Sequence, residues 1–291
     1  MEKCSRCGRA CGANRTELEN KDGFCRMPLL PKLSKACLHF WEEPCISGQN
    51  GSGTVFFSGC SLRCVFCQNY EISHEGKGKI VSYERLAEIF YELEQKGAHN
   101  INLVNPTHYI DAIEKAVKIY KPNIPLVYNS GGFDDISVST LDFIDVYLFD
   151  LKFKNNEKAI KYASADGYFD VATKVIKAAH ERLGTPVFSA GGIMQKGVII
   201  RHLLLPSSTK DAIEIIDWAE KECPKAVFSL MSQYVPFGKA ENYKEINRRV
   251  TKREYDKVCD HLAEKQFFQT YIQDTDSSST EYIPVFDLEG V

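Results

Sequence analysis

The sequence predicts an α/β fold, a parallel sheet wound as a partial (β/α)6 barrel behind a cysteine-rich N-terminal metal-binding segment. Three observations support this. Short apolar runs alternate with amphipathic stretches from Thr54 onward, the composition is that of a packed globular body, and nine of the eleven cysteines precede residue 68. A chain of 291 residues with 44% hydrophobic and 26% charged residues can bury a large core, at a length that α/β barrels reach as one unit.

Six runs read as strands: Thr54 to Phe57, Ile101 to Val104, Leu126 to Tyr128, Val146 to Phe149, Val198 to Leu205 and Ala226 to Met231. Helical periodicity is clearest in Tyr83 to Lys96, Ile110 to Tyr120, Val171 to Leu183 and Lys210 to Cys223, with Gly97 and Gly184 as stops. The run from Ser47 to Gly53 is rich in Gly, Ser and Asn, a turn composition, so a boundary is expected there. The expected organisation is a cysteine-rich segment over 1–50, a barrel core over 51–235 and a C-terminal extension over 236–291. Ser277, Ser278 and Ser279 read as a surface loop.

Charge points to no polyanionic partner. Lys and Arg number 36 against 39 Asp and Glu, a formal charge of -3, so neither nucleic acid nor an anionic membrane is an expected partner. Arg248, Arg249, Lys252 and Arg253 are interleaved with Glu245, Glu254 and Asp256, the pattern of a solvated helix face. The N-terminus shows no apolar leader and no later run is long enough to span a bilayer, so a cytoplasmic protein is expected. In that compartment cysteines serve as metal ligands or redox groups more often than as disulfides.

Cys60-Ser61-Leu62-Arg63-Cys64-Val65-Phe66-Cys67 directly follows the first strand of the barrel, on the rim where α/β barrels build their active sites. Three thiolates so close in sequence can hold a corner of a four-iron four-sulfur cluster, which normally takes four protein ligands, so one iron is left open. An open metal position is a substrate site. The competing reading, zinc with a distant fourth ligand, fits less well because zinc usually draws on separated pairs of ligands.

This C-x3-C-x2-C loop, with the aromatic Phe66 before its last cysteine, resembles the motif of the radical S-adenosylmethionine (SAM) superfamily. The resemblance implies that the open iron chelates the amino and carboxylate groups of SAM, and that an electron from the cluster breaks the sulfonium bond to give methionine and a 5'-deoxyadenosyl radical. Further segments resemble proteins similar to pyruvate formate-lyase activating enzyme: His39-Phe40-Trp41-Glu42-Glu43-Pro44, Phe66-Cys67-Gln68-Asn69-Tyr70, Asn105-Pro106-Thr107-His108, Tyr128-Asn129-Ser130-Gly131-Gly132, Asp150-Leu151-Lys152, Arg201-His202-Leu203-Leu204-Leu205-Pro206 and Ser229-Leu230-Met231-Ser232-Gln233-Tyr234. That branch implies a flavodoxin- or ferredoxin-type electron donor and a glycyl radical enzyme, or another protein, as the target of hydrogen-atom abstraction.

Asp150 and Lys152 share one face of a strand, and a buried pair of opposite charges needs further partners to be tolerable. The resemblance assigns them to SAM. It places Asn129 and Ser130 at the ribose, although activases commonly carry an acid where this chain has Asn129, and it sets the backbone of Phe66 against the adenine edge. Asn105, Thr107 and His108 stand where activases carry Gly-Gly-Glu for the SAM amino group. The Thr107 hydroxyl or the backbone carbonyls of Asn105 or Pro106 can accept those hydrogens, whereas His108 reads equally as a helix-start residue. His202 fits the family motif, yet its same-face neighbours Val198, Ile200 and Leu204 are apolar, as around a core histidine.

Cys4, Cys7, Cys11 and Cys25 lie in a segment with little apolar sequence, which needs a staple, and four thiolates suit either zinc or a second iron–sulfur cluster. The knuckle-like Cys4-x2-Cys7 pair tilts the expectation to zinc, and Cys37 or Cys45 can substitute for a ligand. Radical modification of a small molecule or of another protein residue is the alternative function. An iron–sulfur electron carrier without SAM chemistry is a third reading, and the Asp-x-Lys pair argues against it.

Overall fold

The computed structural model describes residues 3–19, 22–273 and 284–291. Ser277 to Ser279 lie outside the described residues. The strands are β1 (Lys32–His39), β2 (Ser52–Phe57), β3 (Lys79–Ile80), β4 (Ile101–Val104), β5 (Leu126–Ser130), β6 (Val146–Asp150), β7 (Val187–Phe188), β8 (Met194–Leu203), β9 (Val227–Met231) and β10 (Gln269–Ile272). The helices are α1 (Pro44–Ser47), α2 (Tyr70–Ser73), α3 (Tyr83–Gln95), α4 (Ile110–Ile119), α5 (Asn156–Ala163), α6 (Tyr168–Leu183), α7 (Thr209–Glu222) and α8 (Lys252–Ala263).

Strands β2, β4, β5, β6, β8 and β9 run parallel in that order, the six-stranded partial barrel that the alternation predicts. β10 adds a parallel strand beside β9, while β1 pairs antiparallel with β2, and β3 with β1. All six expected strands and four expected helices are present, with ends moved by a few residues. The helix ends follow local chemistry. The Ser82 hydroxyl accepts the Arg85 N–H at the start of α3, Thr251 and Glu254 form a reciprocal capping box on α8, and Gly184 closes α6 at φ 68°.

Two elements that the periodicity does not announce shape the site. β1 is half buried and sits within the cysteine-rich segment, so the expected boundary at residue 50 falls between two paired strands. The short α1 drives Cys45 and Ile46 into a cluster with Val127, Val146, Leu148, Ile199 and Val227, plugging the barrel interior from one end. Residues 286–291 return along the outer edge of β1, where the Ala36 N–H donates to Glu289 O at 2.8 Å and the Leu288 N–H to Ser34 O at 3.1 Å.

The two-residue period of the strands sorts the interior by height. Val127, Leu148, Ile199 and Val227 join the apolar plug, and one step further along the same face Asn129, Asp150 and Arg201 line an open cavity at the C-terminal ends of the strands. The apolar layer is thus closed off below, and the charged layer remains reachable from the mouth.

Candidate active site

Gly59 launches the cysteine loop from the end of β2 at φ 86°, and a Cβ there would lie 2.3 Å from Met27 Cγ. Arg63 also takes a left-handed conformation, at φ 54°, and the Cys67 N–H donates to Cys64 O at 3.0 Å, folding the loop back on itself. All three thiols thereby line the cavity. The Leu62 N–H donates to Cys60 Sγ at 3.4 Å and the Ser73 hydroxyl lies 3.3 Å from Cys67 Sγ. Burial raises the Cys64 and Cys67 thiols, so a metal must displace their protons in order to bind.

Across the cavity Asp150 accepts from Lys152 Nζ at 2.7 Å and from Arg201 Nε at 2.5 Å. Arg201 Nη1 also donates to Glu42 Oε2 at 2.6 Å and Glu43 Oε2 at 3.3 Å, and Nη2 to Asn129 Oδ1 at 3.4 Å. Glu42 Oε1 accepts from Asn129 at 3.2 Å and from Asn102 at 3.3 Å. Burial alone would raise the Asp150 carboxyl, but Arg201 and Lys152 hold it well below the usual range. Burial would likewise lower Arg201, and Asp150, Glu43 and Glu42 keep it firmly charged. Glu43 goes the other way, because burial raises it more than Arg201 lowers it. The Tyr168 hydroxyl sits 2.8 Å from the carbonyls of both Gly131 and Asp150 and accepts the Lys152 N–H at 2.9 Å, bracing the ends of β5 and β6.

The structure gathers Cys60, Cys64, Cys67, Phe66, Asn105, Asn129, Ser130, Asp150 and Lys152 around one cavity. Asn105 takes φ 59°, a conformation Asn tolerates better than most residues, and its Oδ1 is 4.0 Å from Cys60 Sγ. The Ser130 hydroxyl is committed to Asp134 Oδ2 at 2.6 Å. Thr107, His108 and His202 do not reach the cavity. Thr107 donates to Asp134 at 2.6 Å, His108 Nε2 to Ser58 O at 2.7 Å and His202 Nδ1 to Leu151 O at 2.7 Å, all three being buried beside the sheet. The physical reason is alternation. His202 sits between Arg201 and Leu203, which both face inward, so it faces the helix layer.

Arg201, Glu42 and Asp134 are absent from the sequence-derived site. Arg201 carried a readable signal, a charge inside an otherwise apolar strand, the same signal that singles out Asp150. Glu42 reaches the site only because α1 plugs the barrel, which no local pattern announces.

Among the described residues no three Cys, His, Asp or Glu side chains converge tightly enough for a single metal ion. The Cys60 loop brings three thiols from one stretch of chain to one cavity, a donor set that suits the separate corners of a cubane. Three thiols with a charged, partly solvated wall opposite suit a four-iron cluster that leaves one iron for a zwitterionic ligand. Among the described residues no helix is long and apolar enough to cross a membrane.

Comparison with known proteins agrees with this donor set. The model of the radical SAM superfamily matches residues 54–219, and the chain belongs to that superfamily. It is 34% identical over 277 residues to the uncharacterized protein MJ0674 of Methanocaldococcus jannaschii, covering 91% of this chain and 75% of that one. Among solved structures it resembles Streptococcus suis SuiB bound to S-adenosylmethionine, with TM-score 0.52, 15% identity and coverage of 74% of this chain and 48% of SuiB. It also resembles TYW1 with a lysine-pyruvate adduct bound, with TM-score 0.50, 14% identity and 77% of each chain covered. The chain spans about half the length of SuiB, and at these identities the likeness is one of fold. Membership makes the chain a radical SAM enzyme that uses a four-iron four-sulfur cluster and SAM and needs an electron donor.

Proposed function

We propose that Cys60, Cys64 and Cys67 hold the four-iron cluster and that SAM is received by Asp150, Lys152, Asn129 and the backbone of Phe66 and Asn105. The observation that supports this is the meeting, in one cavity at the C-terminal ends of the parallel strands, of three thiols from one loop with the Asp150, Lys152 and Arg201 charges. When bound, the cluster and SAM supply the electron and the 5'-deoxyadenosyl radical that abstracts a hydrogen atom.

The chain's own residues position and shield. Arg201 orients Asp150, Lys152 offers a cation that Asp150 keeps protonated, and Phe66 packs edge-on against Phe153 and Tyr234 to exclude water from one wall. Residues 51–235 carry this chemistry, with the described residues of 1–50 and 236–291 packed on them.

The favoured target is a glycine of a partner enzyme, with electrons arriving from a flavodoxin- or ferredoxin-type donor, because the motif set resembles the activating-enzyme branch. A small molecule or another protein residue is the second reading, favoured by the Asn105-Pro106-Thr107-His108 segment, whose Thr107 and His108 side chains turn away from the cavity. Anaerobic reconstitution, reduction and assay for 5'-deoxyadenosine test the shared chemistry. Wild type should form it and the Cys60→Ala, Cys64→Ala, Cys67→Ala triple variant should not. Equal rates in the two would sink the assignment of the loop.

A further inference from the structure

The N-terminal cysteine segment is packed directly against the Cys60 loop. Cys7 bridges to Asp134, the Gly8 N–H donates to Phe133 O at 3.1 Å, and a Cβ at Gly8 would lie 2.7 Å from the Phe133 ring, so the segment is seated tightly on the barrel rim. Arg9 Nε donates to Ser61 O, inside the Cys60 loop, at 2.5 Å, and Nη1 to Ser164 O at 2.7 Å. Its guanidinium lies 3.4 Å from the centre of the Phe24 ring, which Arg63 of the same loop approaches at 4.8 Å. Arg9 lies two residues from Cys7 and Arg63 one residue from Cys64, so two cations on one ring join the two cysteine segments.

Within the N-terminal set the Gly12 N–H donates to Cys4 O at 3.0 Å, and Arg15, beside Cys4, donates Nε to Met27 O at 3.0 Å just after Cys25, so the four-cysteine segment closes on itself. Turns at Ala10 and Gly12, at φ 40° and 64°, fold Cys4, Cys7 and Cys11 together, and Arg15 Nη1 lies 3.9 Å from Cys4 Sγ. Cys37 and Cys45 pack in other clusters, Cys37 beside Phe56 and Phe286 and Cys45 in the barrel plug. The backbone N–H two residues after the cysteine is aimed at the sulfur in both sets: Arg9 to Cys7 and Met27 to Cys25, as Leu62 to Cys60 and Asn69 to Cys67. Hydrogen bonds of this kind stabilise bound thiolate and tune cluster potential.

We propose that Cys4, Cys7, Cys11 and Cys25 hold a second iron–sulfur cluster through which electrons enter the chain. Four thiolates suit either centre, and what favours iron–sulfur is the seat of this segment on the Cys60 loop, through Arg9 and Ser61, because only a redox centre makes use of that closeness. Zinc, to which the Cys4-x2-Cys7 pair tilts, is the competing outcome of the test. One electron from a flavodoxin- or ferredoxin-type donor reduces this centre and passes on to the cluster of the Cys60 loop, with no bond made or broken. This role as an entry point rests on the reading of that loop given above.

The test uses two full-length variants, each reconstituted anaerobically with iron, sulfide and zinc all present. The Cys60→Ala, Cys64→Ala, Cys67→Ala variant should retain roughly four iron and four sulfide per chain, the content of one cubane, with an absorption that dithionite bleaches. The Cys7→Ala, Cys25→Ala variant should lose about half of the wild-type iron, as expected if one of two cubanes is lost. Its remaining cluster should still change its paramagnetic spectrum on adding SAM, while reduction by flavodoxin slows tenfold or more and reduction by dithionite does not. One zinc without sulfide in the first variant, or neither metal in a chain with wild-type circular dichroism, overturns the second cluster. Should the first variant misfold, unchanged iron in the second decides against the proposal. Undiminished reduction of the second variant by flavodoxin overturns electron entry. Full wild-type iron in the first variant would instead defeat the assignment of the Cys60 loop and leave this site standing.

Discussion

Arg201 and Asp150 are register partners on adjacent strands, and Arg201 Nε donates to Asp150 Oδ1 at 2.5 Å where β8 and β6 end. The same guanidinium reaches Glu42 from the barrel plug, so one side chain ties two strands and the plug to the wall of the cavity.

Replacing Arg201 by Gln should leave Asp150 and Glu42 short of their main countercharge. Breaking a buried pair by removing one partner costs about 3 to 5 kcal/mol, and this one is only slightly exposed, with Arg201 at 12% and Asp150 at 23%. A fall in melting temperature together with weaker SAM binding by calorimetry is expected, and Arg201→Lys should rescue little because its single ammonium cannot reproduce the fork. An Arg201→Lys variant that behaves as wild type would reduce the role of Arg201 to charge alone.

Asp150→Asn and Lys152→Ala should each weaken SAM binding by about 1.5 to 3 kcal/mol, the worth of a charged hydrogen bond, while iron content stays constant. A collapsed melting temperature with unchanged SAM affinity would show instead that the pair serves the fold.

His108 makes stability depend on acid. Burial, aided by the Arg15 charge, lowers its pKa to about 3, whereas the unfolded chain takes up that proton near the ordinary histidine value. Below roughly pH 6.5 the unfolded state binds the extra proton, so folding stability should drop by up to about 1.4 kcal/mol per pH unit until the folded histidine also titrates. His108→Gln should flatten that slope in denaturant titrations and leave SAM affinity at wild type. His202→Ala should likewise cost stability, about 1 to 3 kcal/mol for the unmet Leu151 carbonyl, without altering SAM binding.

Gly59→Ala places a Cβ 2.3 Å from Met27 Cγ at a backbone φ of 86°, where an L-residue pays roughly 1 to 2 kcal/mol in strain. The cysteine loop starts there, so lower iron occupancy after reconstitution is expected along with a lower melting point. Normal occupancy would mean that the loop tolerates a shifted origin.

The sequence by itself determined the alternating elements, the loop of Cys60, Cys64 and Cys67 at a strand end and the shared face of Asp150 and Lys152. These are local facts, set by periods of two and 3.6 residues and by spacing within one turn of chain. The interior partners were decided only when distant segments met. β1 joined the sheet although it lies among the N-terminal cysteines, and α1 carried Glu42 to an arginine 159 residues away. Thr107 and His108 turned to Asp134 and Ser58 rather than to the cavity, because a buried polar group takes whichever partner the surrounding elements present. The contact of Arg9 with Ser61, which sets one cysteine cluster against the other, likewise depends on where the N-terminal segment docks on the barrel rim, and no periodicity within either segment encodes that position.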